Sequence, residues 1–255
     1  MIAIIGTGNV AHWVASRLKD SQEFPVAQVY GRRMDQARAL AGMVGAQAID
    51  DLSELRRDCD FYLFTVKDDA YREVLGKVPF TMPLALHTAG SVSQSVFEGH
   101  AREYGVLYPL QTISKNADLE GLEVPLCVED DRLGESRELV WRLAAELSDQ
   151  CHRVGEAQRA VLHLAAVFAC NFNNAMAVIA DDLLKADGLD FKMLLPLMRQ
   201  TLDKLQELSP IEAQTGPAVR GDRAVIDKHI RMLEDERLRN IYREISEYIK
   251  ERKGR

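Results

Sequence analysis

The chain has 255 residues, room for one or two domains. Its 32 basic against 39 acidic side chains leave a net charge of −7, which excludes the concentrated basic face that a nucleic-acid binder needs. With 47% hydrophobic and 28% charged residues, the composition is that of a globular protein with a true core, and it excludes disordered, collagen-like and coiled-coil chains.

From the N-terminus, short apolar runs alternate with helical patterns, which predicts an α/β region with a mostly parallel sheet. Strands are expected at Ile2–Ile5, Val26–Tyr30, Ala46–Ile49, Phe61–Val66, Leu84–Thr88, Gly105–Tyr108, Val124–Val128 and Cys151–Val154. Amphipathic helices are expected at Val10–Leu18, Met34–Met43 and Glu135–Leu147, and Asp50-Asp51-Leu52-Ser53-Glu54 reads as a further helix start. Beyond Val154 the strand signals stop. Three helical runs follow: Glu156–Ala186 up to Gly188; a second after Asp190, with Pro196 marking a kink or a late start; and a third from about Arg223 to Glu251. The expected domains are therefore 1–154, α/β, and 155–255, all-helical.

Residues 160–180 carry no formal charge over the length of a bilayer span. His163, Asn171, Asn173 and Asn174 inside that stretch would be costly against lipid, so a buried helix of a soluble domain is expected and no membrane partner. Cys59, Cys127, Cys151 and Cys170 form no C-x-x-C or C-x-x-H pair, so neither a disulfide framework nor a metal site is expected, and free thiols suit the cytoplasm. The opening residues reach a glycine turn within six positions, which speaks against a signal peptide.

That turn, Gly6-Thr7-Gly8-Asn9-Val10-Ala11, is G-x-G-x-x-A between an apolar run and a helix. The first glycine allows the tight turn, the second lets the backbone approach a pyrophosphate, and the small third residue lets helix and strand pack closely. This is the fingerprint of a Rossmann-type dinucleotide site. After the second strand, where an NAD binder would offer a ribose-reading acid, stand Gly31, Arg32 and Arg33, with no carboxylate before Asp35. Two guanidinium forks suit a 2′-phosphate and predict NADP; the alternative is a pair of solvated surface arginines. The missing acid also argues against an S-adenosylmethionine methyltransferase.

Ligands of such sheets lie beyond the carboxyl ends of the strands. The segments there are Val66-Lys67-Asp68-Asp69, Leu86-His87-Thr88-Ala89-Gly90-Ser91 and Tyr108-Pro109-Leu110-Gln111-Thr112. Val66, Lys67, Thr88 and Ala89 are expected against the cofactor. His87 is either a proton-transfer group or a histidine that only hydrogen-bonds a loop.

Together with H-L-A-A-V-F-A-C-N-F at 163–172 and T-G-P-A-V-R-G-D at 215–222, these motifs resemble the Rossmann-like family assigned as NADP oxidoreductases, in which a nucleotide domain precedes a helical domain of unknown function. More distantly the layout is similar to pyrroline-5-carboxylate reductase, ketopantoate reductase and the 3-hydroxyacid dehydrogenases, with a C-terminal half like that of 6-phosphogluconate dehydrogenase. The resemblance implies hydride transfer between NADP(H) and a small carbonyl, imine or alcohol. One departure matters. The hydroxyacid dehydrogenases and ketopantoate reductase carry a lysine four residues before the asparagine matched by Asn171, and Val167 stands there.

The catalytic candidates are therefore His87, His163, Asn171 and Arg220. On a regular helix His163 and Asn171 are offset by about 80°; they serve either chemistry or core hydrogen bonding. Arg220 either anchors a substrate carboxylate or pairs with Asp222, and His229 follows Asp222 on nearly the same helix face. The competing function is a non-catalytic NADP(H)-binding sensor or regulator. Since a helix apolar on all sides needs cover on all sides, a homodimer through the helical half is expected, with Phe168, Phe172, Met176 and Ile179 near its interface.

Overall fold

A strand with only apolar side chains needs cover on both faces. Ile2–Ile5 (β1) has it, since all four residues are buried. The computed structural model, which describes residues 1–114 and 121–253, continues the sheet with β2 (Val26–Tyr30), β3 (Gln47–Ile49), β4 (Phe61–Phe64) and β5 (Met82–His87). It is completed by β6 (Ala101–Pro109), β7 (Leu126–Glu129) and β8 (Cys151–Arg153). The strand order is β3-β2-β1-β4-β5-β6-β7-β8. The first six strands run parallel; β7 pairs antiparallel with β6, and β8 parallel with β7. The order reverses direction between β1 and β4, which opens a crevice at their carboxyl ends.

Alternation sorts the strand side chains between two cores. Ile2, Ile4, Phe61, Leu63, Leu84 and Leu86 face α1 (Asn9–Leu18), α2 (Met34–Val44) and α4 (Arg137–Leu147), packing on Trp13, Leu40 and Leu143. Ala3, Ile5, Tyr62, Phe64 and Ala85 face the other way, toward α3 (Tyr71–Leu75) and Phe97. The Asp51 carboxylate accepts from the Ser53 N–H as a cap should, but only one 3₁₀ turn, Leu52–Glu54, follows. The buried Leu52 and Leu55 pin the chain on either side of it.

The helical region begins with one unbroken helix made of α5 (Glu156–Ala166), a π segment (Val167–Phe172) and α6 (Asn173–Ala186). Gly188, at φ 72°, follows its end. Asp190 caps a 3₁₀ turn through the Lys192 N–H, and α7 (Leu195–Asp203) then starts with Pro196 in its first turn, where a missing N–H costs nothing. After α8 (Pro210–Ala213) and α9 (Pro217–Arg220), the third expected run proves to be two helices, α10 (Arg223–Met232) and α11 (Glu236–Lys253). Leu233 turns to extended backbone and is buried, while the Asp235 carboxylate accepts from the Arg237 N–H to open α11. The apolar spacing stays in phase across this break, so periodicity alone joins the two.

By internal contacts the chain forms two compact units, Met1–Ala175 and Met176–Arg255, so the long helix contributes to both. Within the chain Arg159 is the only residue of that helix that is buried; Val161 is 69% exposed and Phe168 64%. Within the single chain the expected buried helix is thus not buried. Leu197, Leu202 and Leu205 of the second helical run are exposed as well. By length and composition Glu156–Ala186 is apolar enough to cross a membrane.

Candidate active site

Gly6 adopts φ +122°, and a Cβ there would come within 2.6 to 2.9 Å of Thr65 Oγ1 and its carbonyl, so only glycine fits the turn. A Cβ on Gly8 would meet the protein only at the Thr65 carbonyl, 3.8 Å away, leaving its other side open to a ligand. Asn9 and Val10 open α1, and Ala11 is fully buried where helix and strand meet. The helix has neither a side-chain cap nor an acid in its first turn, so its free N–H groups and dipole favour an anion. These features fit a dinucleotide pyrophosphate. The cleft around them, about 710 Å³, runs from Gly6, Thr7 and Gly8 past Gly31, Arg32 and Arg33 to Val66 and Lys67.

The two arginines are not equivalent. Arg33 donates through Nε and Nη2 to the Asp35 carboxylate at 3.1 and 2.6 Å, which lowers the aspartate's pKa and raises that of the guanidinium. An acid therefore does stand within reach of the expected phosphate readers, though engaged. No hydrogen bond or ion pair of Arg32 is seen among the described residues, and it lines the same cleft. Gly31 allows close packing, since a Cβ would meet Thr7 Cγ2 at 2.7 Å.

At the strand ends the polar residues divide. His87 is fully buried against Tyr71 and Phe97, and its Nδ1 accepts from the Ala89 N–H at 3.2 Å. Burial, with Arg159 nearby, pushes its pKa down to about 3, so it stays neutral. Thr88 and Ala89 are buried beside it, and the Thr88 hydroxyl donates to the Phe64 carbonyl at 3.4 Å. The Ser91 hydroxyl hydrogen-bonds Asp68, tying two strand-end loops together.

His163 reaches the same place from α5. Its Nδ1 lies 3.1 Å from the Tyr108 hydroxyl at the end of β6, and the two rings meet edge to face. Burial raises the Tyr108 pKa and keeps the phenol protonated. Both rings press on Gly90: a Cβ there would sit 2.5 Å from His163 Nδ1 and 2.9 Å from Tyr108 Cζ. A phenol and an imidazole in hydrogen-bond contact are groups able to pass a proton.

Residues 1–85 match the family described as NADP oxidoreductase, coenzyme F420-dependent, and residues 124–249 match a domain of unknown function, DUF2520. A crystal structure of a Bacteroides fragilis protein assigned as an NADP oxidoreductase is 40% identical, covering 98% of this chain and 97% of its own, with a TM-score of 0.89. The chain belongs to this NADP oxidoreductase family. Two further structures share the fold. The 1-pyrroline-5-carboxylate reductase of Streptococcus pyogenes is 15% identical over 98% of both chains, TM-score 0.65. A reductive aminase of Aspergillus terreus, in complex with NADPH4, cyclohexanone and allyl amine, is 16% identical over 90% of this chain and 76% of its own, TM-score 0.62. No curated protein sequence matches.

NADP is thus the cofactor of this oxidoreductase, and the glycine turn and its cleft are the part of the chain that fits it. Asn171 and Arg220 are the other sequence candidates. Asn171 is exposed in the π segment, with no hydrogen bond to His163 among the described residues. The wider π ladder turns less per residue than an α-helix, so the offset between the two shrinks below the 80° of regular spacing. Arg220 ends α9 in the second unit, exposed and without an ion pair to Asp222, whose carboxylate instead accepts from the Val225 N–H. His229 bonds the Tyr242 hydroxyl at 2.8 Å rather than turning toward Asp222.

Sequence reasoning passed over Tyr108 and Arg159. A tyrosine ending a strand reads as core, and an arginine in the first turns of an amphipathic helix reads as surface. Only the proximity of β6 and α5 reveals them.

Proposed function

We propose that the oxidoreductase moves a hydride between NADP(H) and a small carbonyl, imine or alcohol, with Tyr108 and His163 handling the accompanying proton. The observation that carries this reading is the 3.1 Å contact between the Tyr108 hydroxyl and His163 Nδ1 beside the Thr88–Gly90 turn. NADPH, when bound, supplies the hydride. In the reductive direction Tyr108 donates its proton to the oxygen or nitrogen that gains charge, and His163 replaces it; oxidation reverses the path. A phenol held protonated by its surroundings suits the donor role, and no lysine is needed at the position of Val167.

The same reading assigns 1–154 to cofactor binding and 155–255 to substrate contacts and dimerisation, in a cytoplasmic homodimer. Four free thiols support the compartment. The exposed apolar side of Glu156–Ala186 supports a second subunit as its cover, and the histidine and asparagines within it disfavour lipid.

The test is NADPH oxidation across a panel of small carbonyls and imines. Tyr108→Phe is expected to lower kcat about 10²- to 10⁴-fold, with NADPH affinity retained. Tight NADPH binding with no turnover of any compound by the unmodified protein would favour a sensor and defeat this reading.

A further inference from the structure

Arg159, 2% exposed, is used by none of the steps above. A guanidinium taken out of water must be paired, and this one is paired unusually. Its Nε donates to Glu129 Oε2 at 2.9 Å, and its Nη1 donates to the carbonyls of Ala89 at 3.2 Å and Gly90 at 2.8 Å. Among the described residues its Nη2 has no partner, nor have Glu129 Oε1 and His87 Nε2, and all three atoms are buried. Apolar side chains of the same volume would generally hold such a layer together as well or better, so stability alone does not account for the pair.

Geometry does account for it. Val106 of β6 stands in register with His87 of β5 on one side and Glu129 of β7 on the other, so the acid is rooted on the sheet two strands from the turn. The planar fork joins that fixed acid to two consecutive peptide carbonyls, which aims both peptide planes. Gly90, thus held, is the surface against which the His163 ring rests, and His163 follows Arg159 by four residues on the same helix face.

We propose that Arg159 is a positioning residue: with Glu129 as counter-ion it clamps the Ala89 and Gly90 carbonyls, and through Gly90 it sets the contact between His163 and Tyr108. This rests on the reading of Tyr108 and His163 as the proton-transfer pair. The clamp touches neither substrate nor reacting atoms. It acts on where the imidazole sits.

Arg159→Lys tests it, because an ammonium keeps the charge but lacks the flat fork that reaches the acid and two carbonyls together. The expected result is a kcat lowered about 10- to 100-fold, the scale of a small misplacement. KM and NADPH Kd should move less than about threefold, the split that marks an effect on the transition state rather than on binding. An NMR pH titration of the His163 ring in the cofactor-free protein is expected to shift as well. If Arg159→Lys does not fold, Arg159→Met with Glu129→Gln removes both charges at once and is read the same way. A His163 titration curve superimposable on that of the unmodified protein overturns the clamp. So does a parallel fall of kcat, NADPH affinity and thermal midpoint, which marks a merely structural role. Should the unmodified protein turn over nothing, the hydride-transfer reading fails while the titration still decides the clamp.

Discussion

The two units bury very different things. Met1–Ala175 holds an eight-stranded sheet with two apolar layers and many side chains wholly out of water, among them Trp13, Ile4 and Phe64. Among the described residues of Met176–Arg255, only Ala218 and Leu233 are buried. Leu197, Leu202, Met193 and Met232 of that unit stand in solvent, as do Val161, Leu164, Phe168 and Phe172 on the long helix before it. Exposed large apolar side chains in this number are more than the scattered single residues of an ordinary surface. The sheet of the first unit has its core on both faces, whereas the long helix and the second unit leave most of their apolar side chains exposed.

The sharpest way to break this contrast is at the helix. Phe168→Glu with Phe172→Glu removes four apolar anchors from the proposed dimer, each worth about 1.5–3 kcal/mol when buried. Light scattering at micromolar concentration should show the mass fall from two chains to one of 28.6 kDa. An unmodified protein already at one chain would mean that a second copy is not the cover.

In the first unit, cofactor choice is expected to be decided locally, and unequally, by two neighbouring arginines. Arg32→Ala should cost about 10- to 100-fold in preference for NADPH over NADH, the scale of one or two charged hydrogen bonds. Arg33→Ala should cost less, because its fork already serves Asp35. Fluorescence titration with both nucleotides checks this. Equal losses would mean that Asp35 releases Arg33 on binding, and equal affinities in the unmodified protein would refute the 2′-phosphate reading.

A smaller effect sharpens the contrast within the core itself. His87 is neutral when folded, with a pKa near 3, against an ordinary value of 6.5. Between those values the unfolded chain binds the extra proton, so stability falls as pH falls through that window. Glu129 opposes this in part: its pKa is raised by burial, so its contribution is present below the ordinary 4.5 and is lost as pH rises through the raised value. His87→Gln should flatten the acid side of a midpoint-against-pH curve and leave neutral pH nearly unchanged. An identical slope in both proteins would remove His87 from the account.

Where local chemistry decides structure, the sequence is legible. Ile2–Ile5, Val26–Tyr30 and the helix start at the glycine turn come directly from short apolar runs and glycine spacing. The Leu233–Asp235 break is hidden because the apolar repeat keeps its phase through it. The antiparallel entry of β7 is hidden because strand direction leaves no local trace. At the site, Gly6 to Ala11 could be read outright. Arg159, Glu129 and Tyr108 could not, since their meaning lies in contacts between strands and a helix distant in sequence.

The π segment bears on how this helix can vary. Six residues there, Val167–Phe172, take the wider ladder without interrupting the helix. Such a bulge is the trace of one residue more than the regular ladder requires. A helix that can absorb a residue can also give one up, so loss of a single codon in this stretch would return the ladder to regular α spacing and leave the helix continuous, with the residues beyond it keeping nearly their present heading. The stretch can thus change length by one residue without turning the faces of α6 about the helix axis.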